Sequence, residues 1–382
     1  MNISIEKNTI YQFSKTNEYI FFGDSALVDK IMDIFGDDIK ACFIVDNNKS
    51  KIGTVHRELI IKSASVLDKV NKNTRIIITA GMTKAQIEII EQLKMNGLYP
   101  GEAVILASDF IRLWKWHYEK KIAINYVEQI ITSKCTLNCK HCGLYIPFYE
   151  KKNNRNLSDL KADLECLFKT VDYVAEFRIL GGEPLMHSQL EDLLEFIIEK
   201  YRENIGILAI VTNGTLIPTN KVLRLAKDGQ IMFHISDYTE NLKELEKNQI
   251  ALIQKLEEVG IKYSINRSEK WVDVGNPRLR QDCTIEEIIY KFEHCKMSCR
   301  SLLNGRLYFC GTMASAILAK IYDEKEEDSL NLRELYKIEK TERFKVIEAF
   351  EVGSVDKGFI DYCYYCNGFG GNNKLVPSAI QK

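Results

Sequence analysis

The sequence contains no apolar run that approaches the roughly 20 residues needed to span a bilayer, so no membrane segment is expected. It also lacks an excess of either charge, because 52 Lys and Arg stand against 53 Asp and Glu. The basic residues are spread along the chain, so nucleic acid is not expected as a partner. Met1–Tyr11 has no apolar h-region of a secretory signal, which makes the cytoplasm the predicted location.

Structural disulfides are disfavoured in a reducing compartment, so the 11 cysteines need another explanation. Metal or cluster binding is the obvious candidate. Cys42 is the only cysteine before residue 135, four fall between 135 and 166, and six fall between 283 and 366. This distribution, in a chain long enough for two or three domains, predicts three zones: 1–118, 125–270 and 271–382.

The first zone alternates short apolar runs with amphipathic stretches, which predicts a parallel sheet covered by helices. Gly23 after the first strand, Ser25 as a helix N-cap and Asp46 after the second strand are typical of a Rossmann-like fold. The zone resembles the small Rossmann-like domains attached to enzymes of surface-polysaccharide biosynthesis, some of which bind a nucleotide sugar. Only one glycine of a G-x-G-x-x-G motif is present, so a packing module without a ligand remains the alternative.

The second zone repeats the alternation of strands and helices, with strands predicted at 127–132, 175–180, 205–211, 231–235 and 261–265. Consecutive βα units predict a complete or partial (β/α) barrel, in which chemistry occurs at the carboxyl ends of the strands. The motifs of this zone follow those strand ends.

Three cysteines follow the first of these strands in a C-x3-C-x2-C arrangement: Cys135, Cys139 and Cys142. Three thiolates this close in sequence can ligate three irons of a cubane cluster and leave the fourth iron open. A zinc site is the alternative, although a structural zinc ion usually takes four ligands. The second strand runs into Gly181-Gly182-Glu183-Pro184, where we expect close backbone approach to a ligand and an acceptor for a ligand ammonium.

With both motifs in place, the sequence resembles the radical S-adenosylmethionine (SAM) superfamily, whose signature is C-x3-C-x2-C after the first barrel strand and GGEP after the second. The resemblance implies that the three cysteines bind a [4Fe–4S] cluster and that residues 181–184 meet the methionine end of SAM. It also implies that Thr212, Asn213 and Ser236 lie near the carboxylate or ribose of SAM. His141 departs from the aromatic or aliphatic residue usual before the third cysteine.

The third zone resembles the Twitch and SPASM extensions of radical SAM enzymes, which carry auxiliary clusters. The resemblance implies a second [4Fe–4S] cluster, and the shorter one-cluster pattern fits because no cysteine follows Cys366. The four available ligands are Cys295, Cys310, Cys363 and Cys366. Cys299 is an alternative to Cys295, and if it is not a ligand we expect a core or substrate-facing thiol. A structural zinc knot is the other interpretation of this set.

The family resemblance implies an enzyme that cleaves SAM reductively to a 5′-deoxyadenosyl radical and takes a hydrogen atom from its substrate. We expect oxidation or rearrangement of a sugar, nucleotide sugar or similar small polar molecule, with electrons from a flavodoxin or ferredoxin. A peptide maturase that installs a crosslink or an epimerised residue is one alternative. A zinc-binding scaffold without catalysis is the other, and it leaves the GGEP motif unexplained.

Overall fold

The structure is a computed structural model that describes residues 13–71, 73–81, 83–295, 299–355, 357–370 and 373–382. The segment in which no secretory signal is expected, 1–11, lies outside the described residues. The chain divides into two compact units, 1–125 and 126–382. Among the described residues, no helix is both long and apolar enough to cross a membrane.

The first unit is a sheet with helices between its strands. Its strands are β1 (Glu18–Phe22), β2 (Lys40–Val45), β3 (Val55–His56), β4 (Leu59–Lys62), β5 (Thr74–Ile78) and β6 (Val104–Leu106), and the short strand β7 (Ala123–Ile124) is not part of this sheet. Its helices are α1 (Ala26–Phe35), α2 (Thr83–Met95) and α3 (Ala107–Glu119), with 3-10 turns at Gly36–Asp38 and Ala64–Lys69.

The strand order in this sheet is β3-β4-β2-β1-β5-β6, with every pair parallel except β3 with β4. Alternate residues of β1 and β5 point to the same face, so that Ile20 and Ile76 pack in one cluster with Leu93 of α2. Ser25 begins α1 as predicted, because its side chain accepts a hydrogen bond from the Leu27 amide. The predicted Rossmann-like parallel sheet is confirmed.

The second unit contains the predicted βα repeats followed by shorter elements. Its strands are β8 (Val127–Thr132), β9 (Tyr173–Gly181), β10 (Ile205–Thr212), β11 (Ile231–Asp237), β12 (Tyr263–Arg267), β13 (Lys270–Val272), β14 (Arg300–Leu303), β15 (Arg306–Tyr308), β16 (Ser329–Asn331) and β17 (Leu375–Pro377). Its α-helices are α4 (Leu157–Thr170), α5 (Leu190–Tyr201), α6 (Asn220–Asp228), α7 (Glu246–Val259), α8 (Ile285–Glu293), α9 (Gly311–Leu318), α10 (Leu332–Leu335) and α11 (Lys340–Glu351). Single 3-10 turns occur at Ile146–Phe148, Pro184–Met186, Arg202–Asn204, Lys243–Leu245, Glu326–Asp328 and Asp361–Tyr365.

The main sheet of this unit runs in the order β12-β11-β10-β9-β8-β14-β15-β16. Strands β8 to β12 are parallel, and β14 joins β8 in parallel before β15 and β16 reverse direction. Strands β13 and β17 form a separate antiparallel pair. The parallel order brings the carboxyl ends of β8 to β11 to one edge, where the predicted motifs follow them.

Two local features fix the join between the predicted barrel and the cysteine-rich segment. Asn304 and Gly305 connect β14 to β15 with φ values of 54° and 72°, the pair of positive angles that a two-residue type I′ hairpin turn requires. The Gly305 amide donates a 2.6 Å hydrogen bond to the buried carboxylate of Asp163 in α4. The β14–β15 hairpin is thereby anchored to α4, the first helix of the unit.

Candidate functional site

A cavity of about 350 Å³ opens at the carboxyl edge of the parallel strands of the second unit. Its lining includes most of the site residues predicted from the sequence, namely Cys135, Cys139, Cys142, Gly181, Gly182, Thr212, Asn213 and Ser236. The lining is predominantly apolar beyond these groups, with Leu180, Val211 and Trp271 among its members. An apolar pocket with a few convergent polar groups is typical of a small-molecule or cofactor site.

The three cysteines of the first motif lie in the loop after β8, with Cys139 buried and the other two partly buried. Burial raises the pKa of the Cys135 thiol to about 12 and that of Cys139 to about 11. Amide groups face two of the sulfurs: Asn213 Nδ2 lies 3.5 Å from Cys135 Sγ, and Gln381 Nε2 lies 3.5 Å from Cys139 Sγ. Such donors stabilise the thiolate form that an iron cluster needs.

The donor set fits a cubane cluster better than a single metal ion. Among the described residues, no three His, Cys, Asp or Glu side chains are grouped to hold one ion. A cubane holds its thiolates further apart, because each thiolate binds a different iron. His141, the nearest candidate for a fourth ligand, has its Nδ1 atom 3.6 Å from Asp273 Oδ1. Three thiols on one cavity wall therefore suit an iron–sulfur cluster with one open iron.

The glycine pair after β9 allows two chain segments to pack closely. A Cβ atom at Gly182 would lie 2.2 Å from the carbonyl oxygen of Lys134, and one at Gly181 would lie 2.4 Å from that of Thr132. The Gly182 and Glu183 amides donate 2.8 Å hydrogen bonds to the Thr132 and Lys134 carbonyls. Both glycines line the cavity. Glycine is needed at these positions because the chain packs closely against Thr132 and Lys134, in the segment that leads into Cys135.

Glu183 is fully buried and is not among the residues that line the cavity, and neither is Pro184. The Glu183 carboxylate accepts hydrogen bonds of 3.0 Å from the Thr212 hydroxyl and 2.9 Å from the Asn213 amide. It also accepts a hydrogen bond from the Leu185 amide. Burial raises the pKa of Glu183 to about 7. The side chain joins the ends of β9 and β10, and its contact with SAM remains a prediction.

The lining of the cavity also contains Cys299 and Glu128, together with Gly311 and Thr312 at the start of α9. Glu128 is buried and its side chain is hydrogen-bonded to the Cys299 thiol. Burial raises the pKa of Glu128 to about 7, against the opposing charge of Arg178 on the neighbouring strand. Sequence reasoning missed Glu128. The signal was available as an acidic residue near the start of an otherwise uncharged strand, VEQIIT.

The cysteines predicted for the auxiliary cluster form a second group of thiols. Burial raises the pKa of Cys363 well above its ordinary value, and the nearby thiols of Cys310, Cys295 and Cys366 raise it further. Burial raises the pKa of Cys366 to about 12, and the nearby thiols of Cys310 and Cys295 contribute to this rise. Cys299 interacts with Glu128 and with Cys310, whereas Cys295 acts on both Cys363 and Cys366, which favours Cys295 over Cys299 as the fourth member of this group.

The corresponding strand ends of the first unit are filled by charged side chains of the unit itself. The Asp46 carboxylate accepts a 2.7 Å hydrogen bond from the Asp24 amide, at the turn where a Rossmann fold binds phosphate. The Asp24 carboxylate pairs with Lys51 at 2.8 Å and with His56 at 2.5 Å. Gly23 is required for packing, because a Cβ atom there would lie 2.7 Å from the Ala80 amide. A nucleotide-sugar ligand for this unit remains a prediction.

Comparison with known proteins agrees with the chemistry of the second unit. Residues 130–266 match the Radical SAM superfamily. The chain is 26% identical over 274 residues to a GTP 3′,8-cyclase of Helicobacter pylori (strain HPAG1), covering 66% of this chain and 80% of that protein. A GTP 3′,8-cyclase of Campylobacter jejuni (strain RM1221) is 36% identical over 95 residues, which is 25% of this chain and 29% of the relative.

Among solved structures, BtrN in complex with S-adenosylmethionine (AdoMet) and 2-DOIA matches 64% of this chain and 93% of its own at 14% identity, with a TM-score of 0.40. Streptococcus suis SuiB bound to S-adenosylmethionine matches 70% of this chain and 58% of its own at 18% identity, with a TM-score of 0.32. Residues 130–266 carry the superfamily match and the three-thiol cavity lies at their strand ends. Residues 130–266 are therefore a radical SAM domain, and the chain is an enzyme of the radical SAM type that uses a [4Fe–4S] cluster and SAM.

Proposed function

We propose that this enzyme oxidises or rearranges a nucleotide-linked or sugar-like small molecule with the help of an auxiliary [4Fe–4S] cluster. One observation carries the proposal. The cavity that contains the three-thiol motif extends to Cys299, Gly311 and Thr312, which lie beside the second group of thiols. A substrate in this cavity would therefore lie between two cluster sites.

In this proposal Cys135, Cys139 and Cys142 hold the SAM-binding cluster, and Cys295, Cys310, Cys363 and Cys366 hold the auxiliary one. When bound, these cofactors supply a radical that removes a substrate hydrogen atom and a group that accepts one electron. The protein binds, orients and shields the reactants. Gly181, Gly182, Thr212, Asn213 and Ser236 form the wall on which SAM would lie, while Glu183 holds two of the strand ends in place.

Glu128 is placed to move a proton in this cavity. Oxidation of a substrate alcohol to a ketone releases a hydrogen atom, an electron and a proton, and the proton needs an acceptor near the reacting carbon. A carboxyl group whose pKa lies near the working pH is suited to that task. Glu128 lines the cavity and contacts Cys299, so an Oε atom would take the proton on the side nearer the second group of thiols.

The names of the relatives support a nucleotide as the substrate class. Several relatives, including the Helicobacter protein that the chain matches over 80% of its length, are named GTP 3′,8-cyclase. The first unit of this chain, with its Rossmann-like sheet, is compatible with a nucleotide-linked substrate. The flavodoxin or ferredoxin donor and the cytoplasmic location stay predictions from the sequence.

The test is anaerobic reconstitution of the wild type, a Cys135/Cys139/Cys142→Ala variant and a Cys295/Cys310/Cys363/Cys366→Ala variant, with Cys166→Ala as the matched control. Iron and acid-labile sulfide are measured per chain, and we expect about eight irons in the wild type and about four in each multiple variant. Each protein is then incubated with SAM, dithionite and a panel containing GTP, UDP-sugars, free aminosugars and short peptides. Formation of 5′-deoxyadenosine and of a new nucleotide or sugar product is followed by mass spectrometry.

Product formation with one small-molecule member of the panel, lost in both multiple variants and retained in Cys166→Ala, supports the proposal. Four irons in the wild type and zinc at the C-terminal cysteines would remove the electron acceptor and overturn the oxidation. Product formation only with a peptide would replace the small-molecule substrate by the alternative, a peptide maturase.

A further inference from the structure

The segment 378–382 lies directly against the loop that carries the three-cysteine motif. Backbone hydrogen bonds join the two: the Lys140 amide donates to the Ile380 carbonyl at 2.7 Å, and the Lys382 amide donates to the Asn138 carbonyl at 2.9 Å. Cys139 and Gln381 form an isolated antiparallel bridge between these bonds. Cys139 of the motif is therefore held in a short strand pairing with a residue 242 positions away.

Contacts with other segments of the chain hold residues 378–382 in this pairing. Asn241 donates hydrogen bonds to the Ser378 carbonyl at 3.1 Å and to its hydroxyl at 2.9 Å. The Ser378 amide donates to the Glu269 carbonyl at 2.9 Å. Ala379 is fully buried in one apolar cluster with Cys139. The segment is thus positioned by several independent contacts, which leave little freedom for the side chain of Gln381.

The Gln381 amide group makes polar contacts through both of its ends. Its Oε1 atom accepts a 2.7 Å hydrogen bond from the Asn138 amide, which orients the group. Its Nε2 atom donates to the Ala379 carbonyl at 2.6 Å and points its other hydrogen at Cys139 Sγ, 3.5 Å away. The geometry therefore places a hydrogen-bond donor directly at the sulfur of Cys139.

We propose that Gln381 sets the reduction potential of the SAM-binding cluster by donating a hydrogen bond to the sulfur of Cys139. The inference rests on the proposed role of Cys139 as a cluster ligand. Adding an electron to the cluster increases the negative charge on its sulfurs, so a donor to one sulfur stabilises the reduced state more than the oxidised state. Gln381 therefore raises the potential and makes the cluster easier to reduce.

The test compares three substitutions in the variant that lacks Cys295, Cys310, Cys363 and Cys366, so that one cluster remains. Gln381→Leu removes both polar ends, and Gln381→Glu keeps the acceptor for Asn138 but places a carboxylate oxygen towards the sulfur. Lys382→Met is the matched control, because it keeps the backbone pairing and does not change the group facing Cys139. The midpoint potential is measured by a redox titration followed by electron paramagnetic resonance, with iron per chain determined in parallel.

We expect the midpoint of Gln381→Leu to fall by about a tenfold change in the reduction equilibrium, which is about 59 mV for one electron. Gln381→Glu should fall further, and Lys382→Met should match its parent. Unchanged potentials at full iron content in both Gln381 variants would overturn the inference. Loss of iron in both, with iron retained in Lys382→Met, would also overturn it, because Gln381 would then hold the loop without tuning the cluster.

The failure of the underlying assignment would look different. A Cys139→Ala variant in the same background that keeps its iron and its paramagnetic signal would show that Cys139 is not a ligand, whatever the Gln381 variants do. If the four-cysteine background does not fold, the titration is made in the wild-type background. The signal that changes on adding SAM then identifies the cluster with the open iron.

Discussion

The two units of this chain place polar residues at the carboxyl ends of parallel strands, but they use them differently. In the first unit the strand ends are closed by the unit's own charges, with Asp24 paired to Lys51 and His56 and with Asp46 bound to the backbone of the first turn. In the second unit the fully buried Glu183 carboxylate accepts hydrogen bonds from the Thr212 hydroxyl and the Asn213 amide at the end of β10. The thiols of Cys135 and Cys142 remain on a cavity wall.

A strand edge can serve as a binding site when its reactive side chains do not satisfy one another through hydrogen bonds and ion pairs. Mutual ion pairs satisfy the Asp24 carboxylate of the first unit and occupy Lys51 and His56 at the same time. In the second unit a single buried carboxylate satisfies the backbone, so the sulfurs need only weak amide donors and are available to irons.

The largest expected effect comes from filling the tightest glycine of the site. In Gly182→Ala the new methyl group would lie 2.2 Å from the Lys134 carbonyl and 2.8 Å from Cys135 Cβ, so the cysteine loop must shift. We expect formation of 5′-deoxyadenosine to fall at least about 100-fold, in line with the cost of misplacing reacting groups by about 1 Å.

The matched substitution in the first unit is Gly81→Ala, because a methyl group there meets nothing within 4 Å. Its SAM cleavage and iron content should equal those of the wild type. Equal activity in both variants would mean that the packing of Gly182 against the Lys134 segment does not position the cluster. SAM cleavage is measured by chromatography of 5′-deoxyadenosine, beside iron per chain.

A smaller effect is expected from removing the carboxylate that serves each strand edge. Glu183→Ala leaves the buried Thr212 hydroxyl and Asn213 amide without their acceptor, which should cost about 3 kcal/mol of local stability. Asp46→Ala removes an acceptor at a partly exposed turn where water can replace it, so about 1 kcal/mol is expected.

Hydrogen–deuterium exchange read by mass spectrometry assigns each loss to its own unit. Faster exchange at the ends of β9 and β10 in Glu183→Ala, with the first unit unchanged, is the expected pattern. A larger loss of local stability in Asp46→Ala than in Glu183→Ala would contradict this expectation. The strand edge of the first unit would then depend more strongly on its carboxylate than that of the second.

The smallest effect concerns how the two units respond to pH. Burial raises the pKa of Glu128 from 4.5 to about 7, so its contribution to stability is present at low pH and is lost as the pH rises through 7. Glu128→Gln has no titrating carboxyl group at this position, so it does not lose stability in this way as the pH rises. Relative to the wild type, its free energy of unfolding should therefore rise by about 2 kcal/mol between pH 5.5 and 8.5, because the wild type loses stability until the pH reaches about 7.

His56→Ala should change in the same direction with pH, but from a loss of stability at low pH to none at high pH. Burial lowers the pKa of His56, but the Asp24 and Asp29 carboxylates raise it more, so its ion pairs stabilise the fold at low pH and fade as the pH rises. The variant should lose less than about 1 kcal/mol at pH 5.5 and nothing measurable at pH 9. Urea unfolding across this range checks both, and a pH-independent difference for Glu128→Gln would contradict a buried, titrating carboxyl.

Much of the fold was predictable because its elements have strong local signals. Residues Ile205–Thr212 form an apolar run of strand length, Ser25 caps α1 with its own hydroxyl, and Asn304-Gly305 matches the dihedral angles of a hairpin turn. The strand near Ile261 begins two residues later than predicted, at Tyr263, because Gly260 ends α7 in a left-handed conformation before the strand starts.

The site was predictable where its residues are close in sequence and unpredictable where they are not. The spacing of Cys135, Cys139 and Cys142 predicted a shared site, and the structure brings all three to one cavity. Nothing local connects Glu128 with Cys299, which lie more than 170 positions apart, or Gln381 with Cys139. Each of these pairs depends on strands or loops that meet only in the folded chain.

Ordered cysteine and glycine motifs after successive strands were enough to predict a radical SAM enzyme that binds SAM and a [4Fe–4S] cluster. The positions of Glu183 at the strand ends and of Glu128 on the cavity became clear only from the folded chain. The physical reason is that motif spacing constrains neighbours within a loop, whereas burial, hydrogen-bond partners and pKa arise from segments that folding brings together.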